Sequence, residues 1–418
     1  MKDKIVLAYS GGLDTTVIIP WLKENYNNGA LMPKKNTACI GCEIIACCVD
    51  VGGYASHQAL IDKAYKTGAG KALVIDAKEE FVTDYIFPMI KGNVVYEGKY
   101  MLGTSAARPL IGKKLAELAI AEGAAAICHG ATGKGNDQIR FELAFKAFAP
   151  HINIIAPWRI WDISSREDAM EYLVARGIEV PLKKGQSYSR DQNIWHLSHE
   201  GQELENPATE PDYKHILQIS TRPEDAPDKP EYVALDFEKG IPVNINNKAL
   251  QPSMLLESLN EMGGRNGIGV ADIVENRIIG MKSRGVYETP GGAILYFAHR
   301  ELESLCLDRP TTAFKELVAG KLAEVIYGGE WFTPLAEALF AFIDKTQETV
   351  TGRVNLKLYK GNIIPAGVES PYSLYSENLA SFATGEMYDH KDAEGFINLI
   401  GIPITLRALM KAKGDIRQ

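Results

Sequence analysis

Ile5-Val6-Leu7-Ala8-Tyr9-Ser10-Gly11-Gly12-Leu13-Asp14-Thr15-Thr16 runs an apolar stretch into two glycines, and helical spacing continues from Leu13 to Asn27. A strand, a glycine turn and a helix start, in that order, open a βαβ unit. Adjacent glycines let the backbone turn tightly and aim successive N–H groups at one point, where a helix start adds positive potential. Ser10, Thr15 and Thr16 add hydroxyl donors. Each hydrogen bond from such a donor to a charged oxygen is worth roughly 1.5–3 kcal/mol, so several together would hold a pyrophosphate without a protein cation.

Outward from this loop, strands at Ile44–Val51 and Leu73–Asp76 alternate with a helix at His57–Thr67. The alternation resumes with a helix at Arg108–Glu122, a strand at Ala124–Cys128, a helix at Asp137–Phe148 and a strand at Ile152–Ile155. Ser164-Ser165-Arg166-Glu167 offers a capping box before a helix at Ala169–Arg176, which Gly177 stops. The expected fold class is α/β: a doubly wound parallel-sheet nucleotide-binding domain over 1–178. An α+β synthetase domain over 179–390 and a C-terminal helical arm over 391–418 follow. In the second domain Lys239-Gly240 and Lys360-Gly361-Asn362 read as hairpin turns. Helices are expected at Met254–Met262, Ala293–Leu307, Thr312–Ile326 and Thr333–Thr346, and His215–Ser220 interrupts an otherwise irregular polar stretch.

The chain has 418 residues, a formal net charge of −8 and 46% hydrophobic residues, which fits packed cores and argues against broad electrostatic binding of nucleic acid. It opens Met1-Lys2-Asp3-Lys4 with no long apolar stretch, so no membrane partner and a cytoplasmic location are expected. Six cysteines are too few for a disulfide scaffold of this size. Cys39 and Cys42 form the one suggestive pair, at the end of the Asn/Lys/Pro-rich insertion Asn27–Gly41; without a second pair at zinc spacing they read as loop thiols, and no protein-built metal site is expected.

A second glycine-rich loop, Cys128-His129-Gly130-Ala131-Thr132-Gly133-Lys134-Gly135-Asn136-Asp137, again links a strand to a helix, with Arg140 one turn on. It is not a Walker A loop, because glycine follows its lysine. If the two loops sit side by side at the carboxyl edge of a parallel sheet, both line the crevice where such folds bind ligands.

The first loop resembles the SGGxDS loop of the ATP pyrophosphatases, with Thr16 where the final serine usually stands. The resemblance sharpens to the argininosuccinate synthase family through Ala8–Thr16, Tyr100–Ser105, His129–Arg140, Tyr188–Ser198 and Asp272–Pro290, which keep the family's order along most of the chain. It implies ATP-dependent joining of citrulline and aspartate through a citrullyl-adenylate, with AMP and pyrophosphate released. Magnesium would accompany ATP, and a homotetramer is expected. On the matching positions it implies nucleotide contacts from Ala8, Tyr9, Ser10, Gly11, Gly12, Leu13, Asp14, Thr15, Thr16 and Val49, and from Gly130, Thr132, Gly133, Lys134, Gly135 and Asn136. Aspartate would meet Thr132, Asn136 and Asp137. Citrulline would meet Tyr100, Ser105, Asn136, Arg140, Ser189, Ser198, Glu275 and Tyr287.

Asp14 is the expected magnesium neighbour. Asp137 would hold the aspartate amine and accept its proton, and His129 is a candidate proton carrier. Arg108, Lys134, Lys282 and Arg284 would neutralise phosphates and carboxylates. A tRNA thiolase of the same superfamily and an ATP-sensing module are the competing readings. Acidic balance and the Asp272–Pro290 match weigh against the thiolase, while Asp137, Arg140 and Glu275 weigh against a dead site.

Overall fold

The computed structural model describes residues 3–26, 41–132, 135–179, 188–380 and 389–413. The insertion and Cys39 lie almost wholly outside them, as do Gly133 and Lys134. The first sheet is built from β1 (Asp3–Ala8), β2 (Cys42–Asp50), β3 (Lys71–Asp76), β4 (Ala126–Cys128) and β5 (Asn153–Ile155). It is all parallel, in the order β3-β2-β1-β4-β5. Strand order therefore reverses between β1 and β4, and the two loops that leave these neighbours face one crevice.

The first helical stretch is split into α1 (Leu13–Thr16) and α2 (Ile18–Tyr26), where one helix was expected. Pro20 has no N–H to give to the Thr16 carbonyl, so the ladder is interrupted there. α3 (His57–Thr67) has Ser56 as its cap. α4 (Lys78–Phe81) and α5 (Phe87–Gly92) flank one wider, π-type turn at Val82–Ile86. α6 (Gly103–Ala121) begins five residues before the expected start and carries Pro109 inside it. α7 (Asp137–Phe148) has the expected bounds. α8 (Arg166–Val174) is capped one residue later than expected: Ser165 accepts from Asp168 N–H while the Asp168 carboxylate accepts from Ser165 N–H. Cys42 is the first residue of β2 and buried, its thiol 3.7 Å from the Leu22 carbonyl, so it is not a loop thiol.

β6 (Ser189–Gln192) and β7 (Leu197–Glu200) precede α9 (Tyr213–Ile216), a single turn displaced from the expected His215–Ser220. Next come β8 (Glu231–Glu238), β9 (Ile241–Ile245), β10 (Lys248–Ala249), α10 (Pro252–Arg265), β11 (Val270–Asn276) and β12 (Lys282–Glu288). α11 (Pro290–Cys306), α12 (Arg309–Tyr327), α13 (Pro334–Thr346), β13 (Gly352–Tyr359) and β14 (Asn362–Glu369) complete this part. Two further sheets form, ordered β10-β9-β8-β13-β14 and β11-β12-β7-β6. Both expected hairpin turns are present, with Lys239-Gly240 and Lys360-Gly361 left-handed. One apolar core runs from Val6 and Ile127 through Trp195 and Leu256 to Leu358, so the parallel sheet and the later elements share it.

By contacts the chain forms two compact units, residues 1–371 and 372–418. The second holds α14 (Glu377–Ala380), α15 (Lys391–Ile400) and α16 (Ile402–Ala412). Leu399 is 72% exposed and Ile404 74%, within an apolar run along both helices. No single described helix is long and apolar enough to cross a membrane; α15 and α16 pass that test only together, across a 51° bend.

Candidate active site

A cavity of about 570 Å³ opens at the carboxyl ends of β1, β2 and β4 and is closed from the other side by β6, β7, β11 and β12. That volume suits a small-molecule site. From the first loop it is lined by Ala8, Tyr9, Ser10, Gly12, Asp14 and Thr15. Ser10 Oγ and Thr15 Oγ1 are 3.1 Å apart, and Gly12 N–H reaches Ser10 Oγ at 3.3 Å. Gly11 turns at φ +75°, with Leu60 so close beneath it that a Cβ would fall 2.5 Å from Leu60 Cδ2. Lys63 Nζ holds the Gly11 carbonyl at 2.5 Å.

Gly11, Leu13 and Thr16 stand behind the lining. Thr16 is buried and donates its hydroxyl to Gly12 O at 2.7 Å, so it shapes the loop rather than offering a donor to the cavity. Burial raises the Asp14 carboxyl above its ordinary value, with Arg166 pulling the other way.

The second loop meets the first: a Cβ on Gly130 would lie 3.0 Å from Thr15 Cγ2. Gly130, Thr132, Gly135, Asn136, Asp137 and Arg140 line the cavity, and Val49 lines it from the end of β2. His129 does not. It is fully buried, its Nε2 3.2 Å from Glu142 and its Nδ1 accepting from Ala131 N–H, so both ring nitrogens are engaged away from the lining.

Asp137 is gripped by two arginines. Arg108 Nε donates to its Oδ2 at 2.8 Å and Arg140 Nη1 to its Oδ1 at 3.0 Å, while Arg108 also pairs with Asp191. Burial alone would raise the Asp137 pKa, but the two guanidinium groups outweigh it and hold the carboxyl below its usual range. Burial leaves Asp191 raised despite Arg108, with the nearby Asp137 charge adding to the rise.

The antiparallel sheet supplies the opposite wall. Tyr287 pairs with Ser198 and Ser198 with Asp191, a row across β12, β7 and β6 that faces the cavity, with Ser189 beside it. Glu275 comes from β11, and Tyr100 from the turn before α6. Ser105 stands behind the lining, its Oγ without a well-formed hydrogen bond, and two buried polar atoms of lining residues on this side also have none: Arg140 Nη2 and Glu275 Oε2. Leaving a buried polar group unsatisfied costs about 1–3 kcal/mol, more when it is charged, so these atoms mark where a polar ligand belongs.

Arg284 and Lys282 do not reach the cavity. Arg284 is spent on Asp272 and the Asn206 and Thr209 carbonyls, and Lys282 on Asn276. Their place is taken by Arg190 and Arg277, which together with Asp191 and Glu200 were missed from sequence. Strand alternation could have found two of them, since Glu200 stands two residues after Ser198 and Arg277 two after Glu275.

A doubly wound sheet with paired glycine loops over one crevice defines a nucleotide-binding enzyme fold. Residues 4–179 match the family described as "Arginosuccinate synthase N-terminal HUP domain", and residues 188–407 that described as "Arginosuccinate synthase C-terminal domain". The chain belongs to the argininosuccinate synthase family. It is 61% identical to the argininosuccinate synthase of Brachyspira hyodysenteriae over 98% of both chains. It is also 61% identical to that of Acetivibrio thermocellus, over 99% of this chain and 98% of the relative, and to that of Carboxydothermus hydrogenoformans, over 98% of both. A solved U34-tRNA thiolase, NcsA of Methanococcus maripaludis, overlaps with a TM-score of 0.27 at 17% identity, over 44% of this chain and 62% of that one.

Proposed function

We propose that this cavity joins L-citrulline to L-aspartate at the expense of ATP, through a citrullyl-adenylate, releasing argininosuccinate, AMP and pyrophosphate. The full-length identity to argininosuccinate synthases supports this ligase activity over a thiolase or an ATP sensor. The observation that carries the site assignment is the pair of unsatisfied atoms on Arg140 and Glu275, which line a cavity continuous with the Ser10–Thr15 loop. An α-amino acid with a ureido end brings a carboxylate for Arg140, an ammonium for Glu275 and further polar atoms for Ser189 and Ser198 on the cavity wall.

In this reading the Ser10–Thr15 loop receives the leaving pyrophosphate, and the main chain at Val49 meets the adenine. The ureido oxygen attacks the α-phosphorus, because urea carbon is a poor electrophile until that oxygen becomes part of a leaving group. Aspartate binds at Thr132, Asn136 and Asp137, and its amine displaces AMP. Asp137 holds that amine rather than deprotonating it: a carboxylate kept below its usual pKa by two arginines is a poor proton acceptor. The chain's work is alignment and charge placement.

Magnesium fits as a passenger of ATP. Among the described residues no group of three or more His, Cys, Asp or Glu side chains could cage an ion, whereas Asp14 on the cavity wall suits a cation held chiefly by phosphate oxygens. Bound there, it would offset the charge of the departing pyrophosphate.

We assign the chain to the cytoplasm and to a homotetramer, in which the exposed apolar faces of α15 and α16 would be covered by another copy. We also keep the functional division at 1–178, 179–390 and 391–418. The test is AMP and pyrophosphate release from Mg-ATP with citrulline alone, aspartate alone, and both. One AMP per argininosuccinate, formed only with both, is expected; no release in any mixture, with ATP still bound, overturns the reading.

A further inference from the structure

Tyr327, the last residue of α12, does not line the cavity, yet three of its groups converge on residues that do. Its main-chain carbonyl accepts from Arg140 Nε at 3.1 Å. Its ring lies 5.0 Å under the Arg140 guanidinium and stacks on Tyr96 at 3.8 Å with planes 7° apart. Its hydroxyl accepts from Asn136 Nδ2 at 2.9 Å.

The orientation of that amide is not arbitrary. Asn136 Oδ1 accepts from Ile278 N–H at 3.1 Å, and a backbone N–H can only donate, so the amide nitrogen must be the atom facing Tyr327. With its lone pair used by Asn136, the phenol keeps one proton to give, and the acceptor beside it is the Glu275 side chain. We propose that Tyr327 is the positioning residue of the citrulline end, holding Arg140, Asn136 and Glu275 in one arrangement through its carbonyl, its lone pair and its single proton.

The inference rests on the ligase reading given above. Its logic is that of preorganisation: Arg140 Nη2 stays unsatisfied because Nε and Nη1 are tied to the Tyr327 carbonyl and to Asp137, while Glu275 Oε2 stays unsatisfied on a carboxylate beside the phenol. The phenol proton also stabilises the ionised form of Glu275, as does Arg140, against burial and the nearby Glu200, with Arg277 the remaining charged neighbour.

Tyr327→Phe keeps the ring, the stack on Tyr96 and the main-chain bond to Arg140, and deletes only the hydroxyl. The expected result is a roughly 10-fold higher KM for citrulline, with the KM for Mg-ATP within twofold of the parent. The acid limb of kcat/KM for citrulline should also move to higher pH, because Glu275 loses its donor. A purely structural role would lower the melting temperature without moving that limb. Placing 3-fluorotyrosine at 327, a stronger donor of nearly the same size, should shift the limb to lower pH and covers the case in which the phenylalanine variant does not fold. An unchanged citrulline KM and an unmoved limb, in an enzyme whose parent makes argininosuccinate, overturn the proposal alone. A parent that makes none overturns it together with the ligase reading.

Discussion

Arg108 donates from Nε to Asp137 Oδ2 at 2.8 Å while its far end pairs with Asp191, so a single guanidinium joins the α7 entrance to the antiparallel sheet across the cavity. Removing one partner of such a pair leaves the other charge exposed to its full desolvation cost, typically about 3–5 kcal/mol when buried. Arg108→Ala should therefore cut kcat/KM for aspartate by about 100-fold or more, at roughly 1.4 kcal/mol per factor of ten. ATP binding measured by calorimetry should change little. Equal losses for ATP and aspartate would show that Arg108 contacts phosphate instead.

Ser105 presents the reverse balance. Its hydroxyl is fully buried without a well-formed hydrogen bond, so deleting it should not cost stability in the ligand-free enzyme. Ser105→Ala is expected to melt at the same temperature or slightly higher while its citrulline KM rises by about 10-fold, roughly 1.5 kcal/mol, because Tyr100 on the cavity wall loses the hydroxyl beside it. A lower melting point with an unaltered KM would place the hydroxyl in the scaffold.

Burial raises the Glu275 carboxyl above its ordinary value, while Tyr327 and Arg140 restrain the rise. To meet an ammonium group it must be ionised, so kcat/KM for citrulline should hold above that raised value and fall as pH drops through it. Asp137, kept low by Arg108 and Arg140, stays ionised throughout this window. Stability runs the other way for Glu275: the native state binds its proton more tightly than the unfolded chain, so its contribution is present at low pH and lost as pH rises through the native value. Glu275→Gln should flatten the acid limb, as a pH–rate profile would read directly.

Gly329 sits at φ +78°, and a Cβ there would lie 2.8 Å from Arg140 Cα. Gly329→Ala pays both for the left-handed backbone and for the collision, together roughly 2 kcal/mol or more. Because Arg140 is the atom struck, the citrulline KM should rise along with the loss of stability in denaturant melts. A loss of stability with unaltered kinetics would mean that the loop yields instead of Arg140.

Much of this site was legible from spacing. Strand, two glycines and helix defined the first loop, and the same grammar defined the second, because the strand-turn-helix order of each is local in sequence. Thr16 and His129 stand outside the lining for a related reason: a hydroxyl or ring in a turn can face the cavity or the scaffold, and only the path of the backbone decides. Lys282 and Arg284 show the limit for charges, since Asp272 and Asn276 claimed them across a hairpin whose register sequence spacing did not give.

The sequence by itself determined the alternating βαβ pattern, the two cradle loops and the helices with clear apolar stripes, all set by neighbours within a few turns. The tertiary structure decided which chemistry faces inward. The sheet β11-β12-β7-β6 closes the cavity with strands from residues 189–200 and 270–288, far apart in the chain, and brings Asp191, Glu200 and Arg277 to it. Tyr327 reaches Asn136 across 191 positions. Such pairings depend on how separate layers pack over a shared core, and no local periodicity records that.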